Sequence, residues 1–218
     1  MERKYLSEFD EAQKDNSCYI DFLKLYYRDF REIGSIVPDS SVCVDALLRF
    51  VPFNSAKVIL EYGAGSGTVT REMIRRKRQE TTLICFERNN CFYNSLVRTV
   101  SGQNVFFVCG DVFNSARHLS AAFGISHESV DCIVSTLPCS FLNVDELLLR
   151  AVLPVMKKDG FFIQYVHVLS FLKGFRLNPF LKKYFSQISS HLVLRNIPPA
   201  VIYACQHIDD ISHQQVTN

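Results

Sequence analysis

The segment at residues 61–68 (EYGAGSGT) has the composition and spacing of a loop that binds a charged small molecule. Glycines at alternate positions, Gly63, Gly65 and Gly67, allow the backbone to approach a ligand without clashes from Cβ atoms. The segment lies between an apolar run and a helix-period segment, and the free N–H groups at the start of a helix can bind an anion. A glycine turn that only packs a helix on a strand has the same pattern.

Two features separate this segment from a dinucleotide-binding loop. Thr68 occupies the position at which a dinucleotide-binding motif places its last glycine. Glu61 suits a positively charged ligand better than a pyrophosphate, and S-adenosylmethionine carries an ammonium and a sulfonium group. We therefore expect S-adenosylmethionine as the ligand. The residues of the segment that we expect to contact it are Glu61, Tyr62, Gly63, Ala64, Gly65 and Gly67.

Further candidate binding residues follow the second and third apolar runs. Glu87 ends the second run, 20 residues after Gly67, where an acidic side chain can accept hydrogen bonds from both ribose hydroxyls. Arg88 follows it directly. Asp111 and Val112 follow the third run, where a carboxylate can reach an adenine amino group. Asp111 has an alternative function as the N-cap of a helix.

The fourth apolar run ends in the segment at residues 135–138 (STLP), at the edge where an acceptor meets the methyl group of the donor. We expect Ser135 on the donor side of this segment, and Leu137 and Pro138 beside the transferred methyl group. A simple proline turn is the alternative interpretation.

Three side chains are candidates for the base that removes a proton from an amine acceptor: Tyr62, Tyr165 and His167. Tyr165 and His167 lie on the fifth apolar run. We expect them on opposite faces of that strand, so that only one of them faces the site. Packing or surface exposure is the alternative explanation of a lone strand histidine.

The elements that position these residues alternate between strands and helices. Apolar runs predict strands at 58–62, 83–86, 105–108, 130–134 and 161–168. Helix-period segments separate them near 67–78, 89–99, 114–122 and 143–157. Apolar strands separated by helices indicate a parallel sheet covered on both faces. Two further apolar runs at 192–194 and 201–204, with no helix between them, predict an antiparallel edge hairpin. With these two strands, the predicted fold is a doubly wound, mostly parallel, seven-stranded α/β fold.

Residues 1–50 precede this pattern and are predicted as a helical cap on a domain that spans 51–218. Apolar positions from Tyr19 to Ile33 recur with helical spacing, and a second helix runs from a cap at Asp39 or Ser40 to about Phe50. The first helix is expected to lie on a membrane or to cover the acceptor cleft, and the alternative is that it simply packs on the domain.

Composition excludes several classes of protein. The chain has 218 residues, of which 48% are apolar and 21% charged, as in ordinary globular domains. The net charge of +2 provides no bulk field for nucleic acid, and Arg71, Arg75 and Arg78 are predicted to form a solvated helix face. The eight cysteines include no CxxC pair, which argues against zinc and favours reduced thiols in a cytoplasmic protein.

Taken together, three motifs resemble those of class I S-adenosylmethionine-dependent methyltransferases. They are Glu61–Gly67, Phe86–Arg88 and Gly110–Asp111, within a match over about residues 55–168. The resemblance implies a Rossmann-like fold, the donor S-adenosylmethionine and a methyl-transfer reaction.

A narrower resemblance, over about residues 22–205, is to bacterial phospholipid N-methyltransferases. Its segments are Phe30–Ser40, Ser135–Pro138, Phe162–Tyr165 and Arg195–Tyr203. It implies methylation of the amine of phosphatidylethanolamine by a peripheral protein that docks through its N-terminal helix on the cytoplasmic membrane face. The chain departs from that family at Val166–His167, where a further tyrosine is common, and in its electrically neutral N-terminal helix.

The same core also resembles rRNA adenine dimethylases, which carry an Asn-Leu-Pro-aromatic motif after the fourth strand. This chain has Thr136 and Cys139 at the Asn and aromatic positions, so it lacks the stacking partner that a flipped base needs. We expect a phospholipid head group as acceptor, with an rRNA adenine or a small molecule as the alternative. A donor-binding protein without catalytic activity is the third possibility, and the oligomeric state stays open.

Overall fold

The computed structural model describes residues 41–168, 170, 176–195 and 199–208. The predicted helix from Tyr19 to Ile33 lies outside these ranges. The helices are α1 (Ser41–Leu48), α2 (Thr68–Arg76), α3 (Asn90–Thr99), α4 (Ser115–Phe123), α5 (Val144–Leu147) and α6 (Asn178–Leu181). The strands are β1 (Val58–Tyr62), β2 (Thr82–Glu87), β3 (Val105–Cys109), β4 (Val130–Ser135), β5 (Met156–His167), β6 (Phe185–Val193) and β7 (Ala200–Ile208).

The described strands form one seven-stranded sheet in the order β3-β2-β1-β4-β5-β7-β6. Strands β1 to β5 are parallel, β7 is antiparallel to β5, and β6 is antiparallel to β7. This is the predicted fold class. The chain progresses outward from β1 through β2 to β3, and then returns to place β4 on the other side of β1. In sheets of this type, ligands bind at the carboxyl ends of the strands where the order reverses.

Alternate side chains of each strand enter two separate cores, one on each face of the sheet. Leu60, Ile84 and Phe162 belong to the first core, whereas Ile59 and Leu83 belong to the second. All five are 0–1% exposed. Burial on both faces explains why the parallel strands appear in the sequence as continuous apolar runs.

Helix α1 contributes Cys43, Val44, Leu47 and Leu48 to the second core. It therefore packs on the sheet, although it falls within the predicted cap at residues 1–50. The division of the chain at residue 50 stays a prediction.

The C-terminal strands are longer than predicted. Strand β6 begins at Phe185 rather than at residue 192, and β7 continues to Ile208. Polar side chains occupy most of the exposed positions of β6, the edge strand, so a search for continuous apolar runs detects only the end of that strand.

The helix predicted at 143–157 is shorter, because α5 passes into a π-helical turn at Leu148–Val152 and β5 begins at Met156. The carbonyl of Ala151, within this turn, accepts hydrogen bonds from the hydroxyls of Tyr62 (2.6 Å) and Ser115 (3.3 Å). The turn thus connects the helix layer to β1.

Candidate active site

The loop between β1 and α2 folds back on the end of β2. The N–H groups of Gly63 and Ala64 both donate to the carbonyl of Phe86, at 3.0 and 3.1 Å, and the N–H of Gly67 donates to the carbonyl of Ala64 at 2.9 Å. The φ angles of Gly63, Gly65 and Gly67 are 83°, 54° and 81°. Residues that carry a side chain rarely adopt these backbone angles. The backbone geometry alone therefore explains the three glycines.

The surroundings of these glycines differ. A Cβ atom at Gly67 would lie 2.7 Å from Leu96, and one at Gly63 would lie 3.1 Å from Leu137. A Cβ at Gly65 would meet only the carbonyl of Gly63, at 4.0 Å. Gly63 and Gly67 are therefore also required by close packing, whereas Gly65 borders open space that a ligand can use.

The carboxylate of Glu87 closes one side of this open space. Its Oε2 accepts the N–H of Gly65 at 2.8 Å, and its Oε1 accepts the N–H of Asn89 at 2.7 Å. Burial raises the pKa of Glu87, and the hydrogen bonds from these backbone N–H groups oppose that shift. The carboxylate is held rigidly at the carboxyl end of β2.

Glu61 lies fully buried beneath the same loop. The hydroxyl of Thr70 donates to its Oε2 at 2.6 Å, while no N–H or O–H donor among the described residues reaches its Oε1. Burial raises the pKa of Glu61 to about 7; Thr70 and the thiol of Cys85 lower it, and the nearby charge of Glu87 raises it further. Two neighbouring carboxyl groups with an unsatisfied oxygen favour a positively charged ligand.

The end of β4 is attached to the glycine loop. The N–H of Thr136 donates to the carbonyl of Tyr62 at 3.0 Å, and its hydroxyl donates to the carbonyl of Gly63 at 2.7 Å. The N–H of Leu137 donates to the hydroxyl oxygen of the fully buried Ser135 at 3.4 Å. The predicted donor loop and the segment at 135–138 therefore form a continuous wall.

Gln164 is a residue of this wall that the sequence analysis did not assign. Its side-chain Nε2 donates to the carbonyls of Leu137 (3.0 Å) and Tyr165 (2.6 Å), and the residue is fully buried. The available signal was a polar side chain inside the apolar run of the fifth strand.

Tyr165 and His167 lie on the same face of β5, so the prediction that they face opposite sides was wrong. Residues two apart on a strand share a face. The hydroxyl of Tyr165 lies 3.2 Å from each ring nitrogen of His167, and the rings meet edge to face with centroids 4.9 Å apart. Burial lowers the pKa of His167 to about 4.

Comparisons with known proteins extend this description. A curated ornithine lipid N-methyltransferase from Singulisphaera acidiphila is 28% identical over 192 residues, which cover 87% of this chain and 96% of that protein. A solved precorrin-6y C5,15-methyltransferase from Geobacter metallireducens superposes with a TM-score of 0.58 at 17% identity, covering 80% of this chain and 92% of that one. No protein-family model matches the chain.

The chain has the class I methyltransferase fold. These comparisons confirm the predicted fold. The curated relative is named as a methyltransferase, which agrees with the predicted activity and donor. A spermidine synthase from Thermotoga maritima also superposes, with a TM-score of 0.60 at 15% identity, over 78% of this chain and 61% of that one. The fold alone is therefore compatible with more than one reaction, and the curated relative supplies the evidence for methyl transfer.

Within this methyltransferase fold, Asp111 serves as an N-cap, the role that the sequence analysis gave as the alternative to adenine binding. Its Oδ1 accepts the N–H of Phe113 at 3.0 Å and caps a short 3₁₀ turn that contains the buried Val112. Its Oδ2 lies 3.5 Å from the guanidinium of Arg88. The cap and the ion pair connect the ends of β2 and β3, next to the open space at Gly65.

Tyr62 is directed away from the glycine loop. Its hydroxyl donates to the carbonyl of Ala151 and contacts Ser115 at 3.0 Å in the first core, and burial raises its pKa. The position of this hydroxyl does not support the predicted role as base; only the backbone of Tyr62 borders the site.

Two further observations concern the described residues alone. They contain no group of three or more His, Cys, Asp or Glu side chains arranged to hold a metal ion. None of their helices has the length and apolar character that a membrane crossing requires.

Proposed function

We propose that this protein transfers a methyl group from S-adenosylmethionine to the primary amine of a membrane lipid. The observation that carries the proposal is the open space at Gly65, bordered by Glu87 and underlain by the unsatisfied oxygen of Glu61. The name of the ornithine lipid N-methyltransferase, and the match over 96% of its length, support the lipid acceptor.

Several residues of the donor side would each contact a different part of S-adenosylmethionine. Glu87 would accept hydrogen bonds from the ribose hydroxyls through the lone pairs that Gly65 and Asn89 leave available. Glu61 would balance the positive charge of the donor. The pair of Arg88 and Asp111 would border the adenine. The donor supplies an already activated methyl group, so the protein contributes mainly position and the exclusion of water.

The acceptor side lies between the segment at 135–138 and the end of β5. Because burial lowers the pKa of His167 to about 4, its ring is neutral at physiological pH but too weak a base to deprotonate the lipid ammonium. It would instead accept a hydrogen bond from the amine after the amine has lost its proton to solvent. The ring of Tyr165 would contact the methylated ammonium and contribute about 0.5–2 kcal/mol. Leu137 and Pro138 would border the transferred methyl group.

Two observations favour a lipid over an RNA base. Cys139, at the position of a stacking aromatic residue, is only 3% exposed, and the hydroxyl of Thr136 is bonded to Gly63. Two of the arginines of α2 are engaged with carboxylates, Arg75 with Glu72, and Arg76 with Glu72 and Asp45. Arg71 instead donates to the carbonyl of Ser66 and the hydroxyl of Thr99.

The test offers the enzyme labelled S-adenosylmethionine with four acceptors in parallel. These are vesicles of ornithine lipid, vesicles that contain phosphatidylethanolamine, vesicles of phosphatidylcholine alone, and unmodified ribosomal RNA, each at low and high salt. We expect label in one or both amine lipids and none in phosphatidylcholine. Sedimentation of the protein with the same vesicles tests the proposed peripheral attachment to the membrane.

Two other outcomes of this test would each identify a different class of acceptor. Label in RNA that disappears at high salt would establish the alternative acceptor, because phosphate contacts are weakened by salt. Donor binding with no label in any acceptor would direct the search to small-molecule amines.

A further inference from the structure

The side chain of Gln164 is a fully buried amide with only half of its hydrogen-bonding capacity used. Its Nε2 serves two carbonyl acceptors, on Leu137 and Tyr165. Its Oε1 is buried and has no hydrogen-bond donor among the described residues. Rotation of the amide would place the oxygen against those two carbonyls, so its orientation is fixed by its partners.

An unsatisfied buried oxygen destabilises a folded protein, and an apolar side chain of similar length would avoid that cost. Stability alone therefore does not favour glutamine at position 164. Buried polar groups that persist despite such a cost occur at functional sites. The location of Gln164 indicates which function it serves.

Gln164 lies opposite Ser135 in the register of β5 and β4, at the last residue of β4. Beyond that point, the segment at 136–138 is held from two sides. Thr136 attaches it to the glycine loop through the carbonyl of Gly63, and Gln164 attaches it to β5 through the carbonyl of Leu137. Leu137 also packs against Gly63.

We propose that Gln164 is a positioning residue that fixes Leu137 and Pro138 relative to the glycine loop, and thereby sets where the acceptor amine lies with respect to the methyl group. This inference rests on the proposed function. Because Gln164 is buried, it acts through Leu137 and not by contact with the substrate. A displacement of about 1 Å at a reacting centre can cost on the order of 100-fold in rate.

The experiment compares Gln164→Met, Gln164→Glu and the control Gln187→Met, a glutamine on the exposed edge strand. For Gln164→Met we expect a melting temperature close to that of the wild type, because removal of the unsatisfied oxygen offsets the loss of two hydrogen bonds. We also expect unchanged donor affinity and a kcat lowered by about 30-fold or more. Faster amide exchange at Cys139 and Phe141, which are bonded to the carbonyls of Leu137 and Pro138, should accompany the loss of kcat. Gln187→Met should alter none of these properties.

Gln164→Glu supplies a second readout. A protonated glutamic acid can donate to the carbonyl of Leu137, whereas a carboxylate cannot. We expect its activity, relative to that of the wild type, to rise as the pH is lowered.

Wild-type kcat and wild-type amide exchange in Gln164→Met would overturn the inference. Collapse of both melting temperature and donor affinity would also overturn it, in favour of a structural role. A wild-type enzyme that labels no lipid would overturn the proposed function, while amide exchange at Cys139 would still report whether Gln164 fixes the segment.

Discussion

The two halves of the site at the carboxyl edge of the sheet are built in different ways. In the donor half, at β1 and β2, the hydrogen-bond donors are backbone N–H groups: those of Gly63 and Ala64 on the carbonyl of Phe86, and that of Gly65 on the carboxylate of Glu87. The acceptor half, at β4 and β5, is held by side chains such as Gln164 on the carbonyl of Leu137. Changes of acceptor specificity can therefore accumulate in the second half while the first half keeps its geometry.

The largest effect that we expect comes from filling the donor half. Gly65→Arg places a long side chain into the open space beside Glu87 and should abolish binding of S-adenosylmethionine, with a loss of affinity of more than about 100-fold. Calorimetric titration with the donor measures this. Because an arginine at φ 54° is also strained, Gly124→Arg provides a matched control.

Gly124 has a φ of 64°, and a Cβ there would meet no atom within 4 Å. The control should show similar strain and unchanged donor affinity. Wild-type affinity in Gly65→Arg would mean that the donor binds elsewhere.

Removing the charge of Glu87 should have the next largest effect. Glu87→Gln should weaken donor binding by about 1.5–3 kcal/mol, because hydrogen bonds between ribose hydroxyls and a charged group are lost. Glu72→Gln, at a half-buried position of α2 where the carboxylate pairs with Arg75 and Arg76, is the control for a generic change of charge. Equal donor affinities of the two variants would refute the assignment of Glu87.

We expect a smaller, pH-dependent effect on donor affinity from Glu61, the fully buried carboxyl group of the donor half. With a pKa of about 7, Glu61 is mostly protonated below neutral pH, and a cationic donor favours its ionised form. Donor affinity should therefore increase between pH 6 and pH 8, by at most about tenfold. Glu61→Gln should remove this dependence in titrations at the two pH values.

The stability of the unliganded protein should change with the opposite sign. The pKa of Glu61 is raised above its ordinary value of 4.5, so the folded state binds more protons than the unfolded state up to about pH 7. The contribution of Glu61 to the free energy of unfolding should fall as the pH rises from about 4.5 to 7. Denaturant titrations of Glu61→Gln and the wild type test this difference.

We expect the smallest effect on donor affinity and methylation from a substitution outside both halves of the site, on α2. Arg75 is exposed and paired with Glu72 at 2.6 Å, and exposed pairs of this kind contribute little. Arg75→Ala should leave donor affinity, lipid methylation and salt dependence within twofold of the wild type. A strong loss of labelling at low salt would instead indicate that α2 contacts a polyanionic acceptor.

Two features of the structure, the limits of β6 and the position of the Tyr62 hydroxyl, differ from what the sequence indicated. The predicted limits of β6 were too short because polar side chains on an edge strand interrupt an apolar run. The sequence likewise did not indicate that the hydroxyl of Tyr62 enters the first core, since that depends on the carbonyl of Ala151 in a π-helical turn. The position of the Tyr62 hydroxyl could not be predicted because a distant segment of the chain determines it.

The sequence by itself determined the parallel sheet, the glycine loop and the acidic residue at the end of β2, because strand and helix periodicity and the backbone freedom of glycine are local properties. Only the tertiary structure decided the acceptor half. Gln164 and Leu137 are 27 residues apart, and Thr136 and Gly63 are 73 apart. Contacts of that range depend on the register between strands, which a single sequence specifies only through packing of the complete sheet.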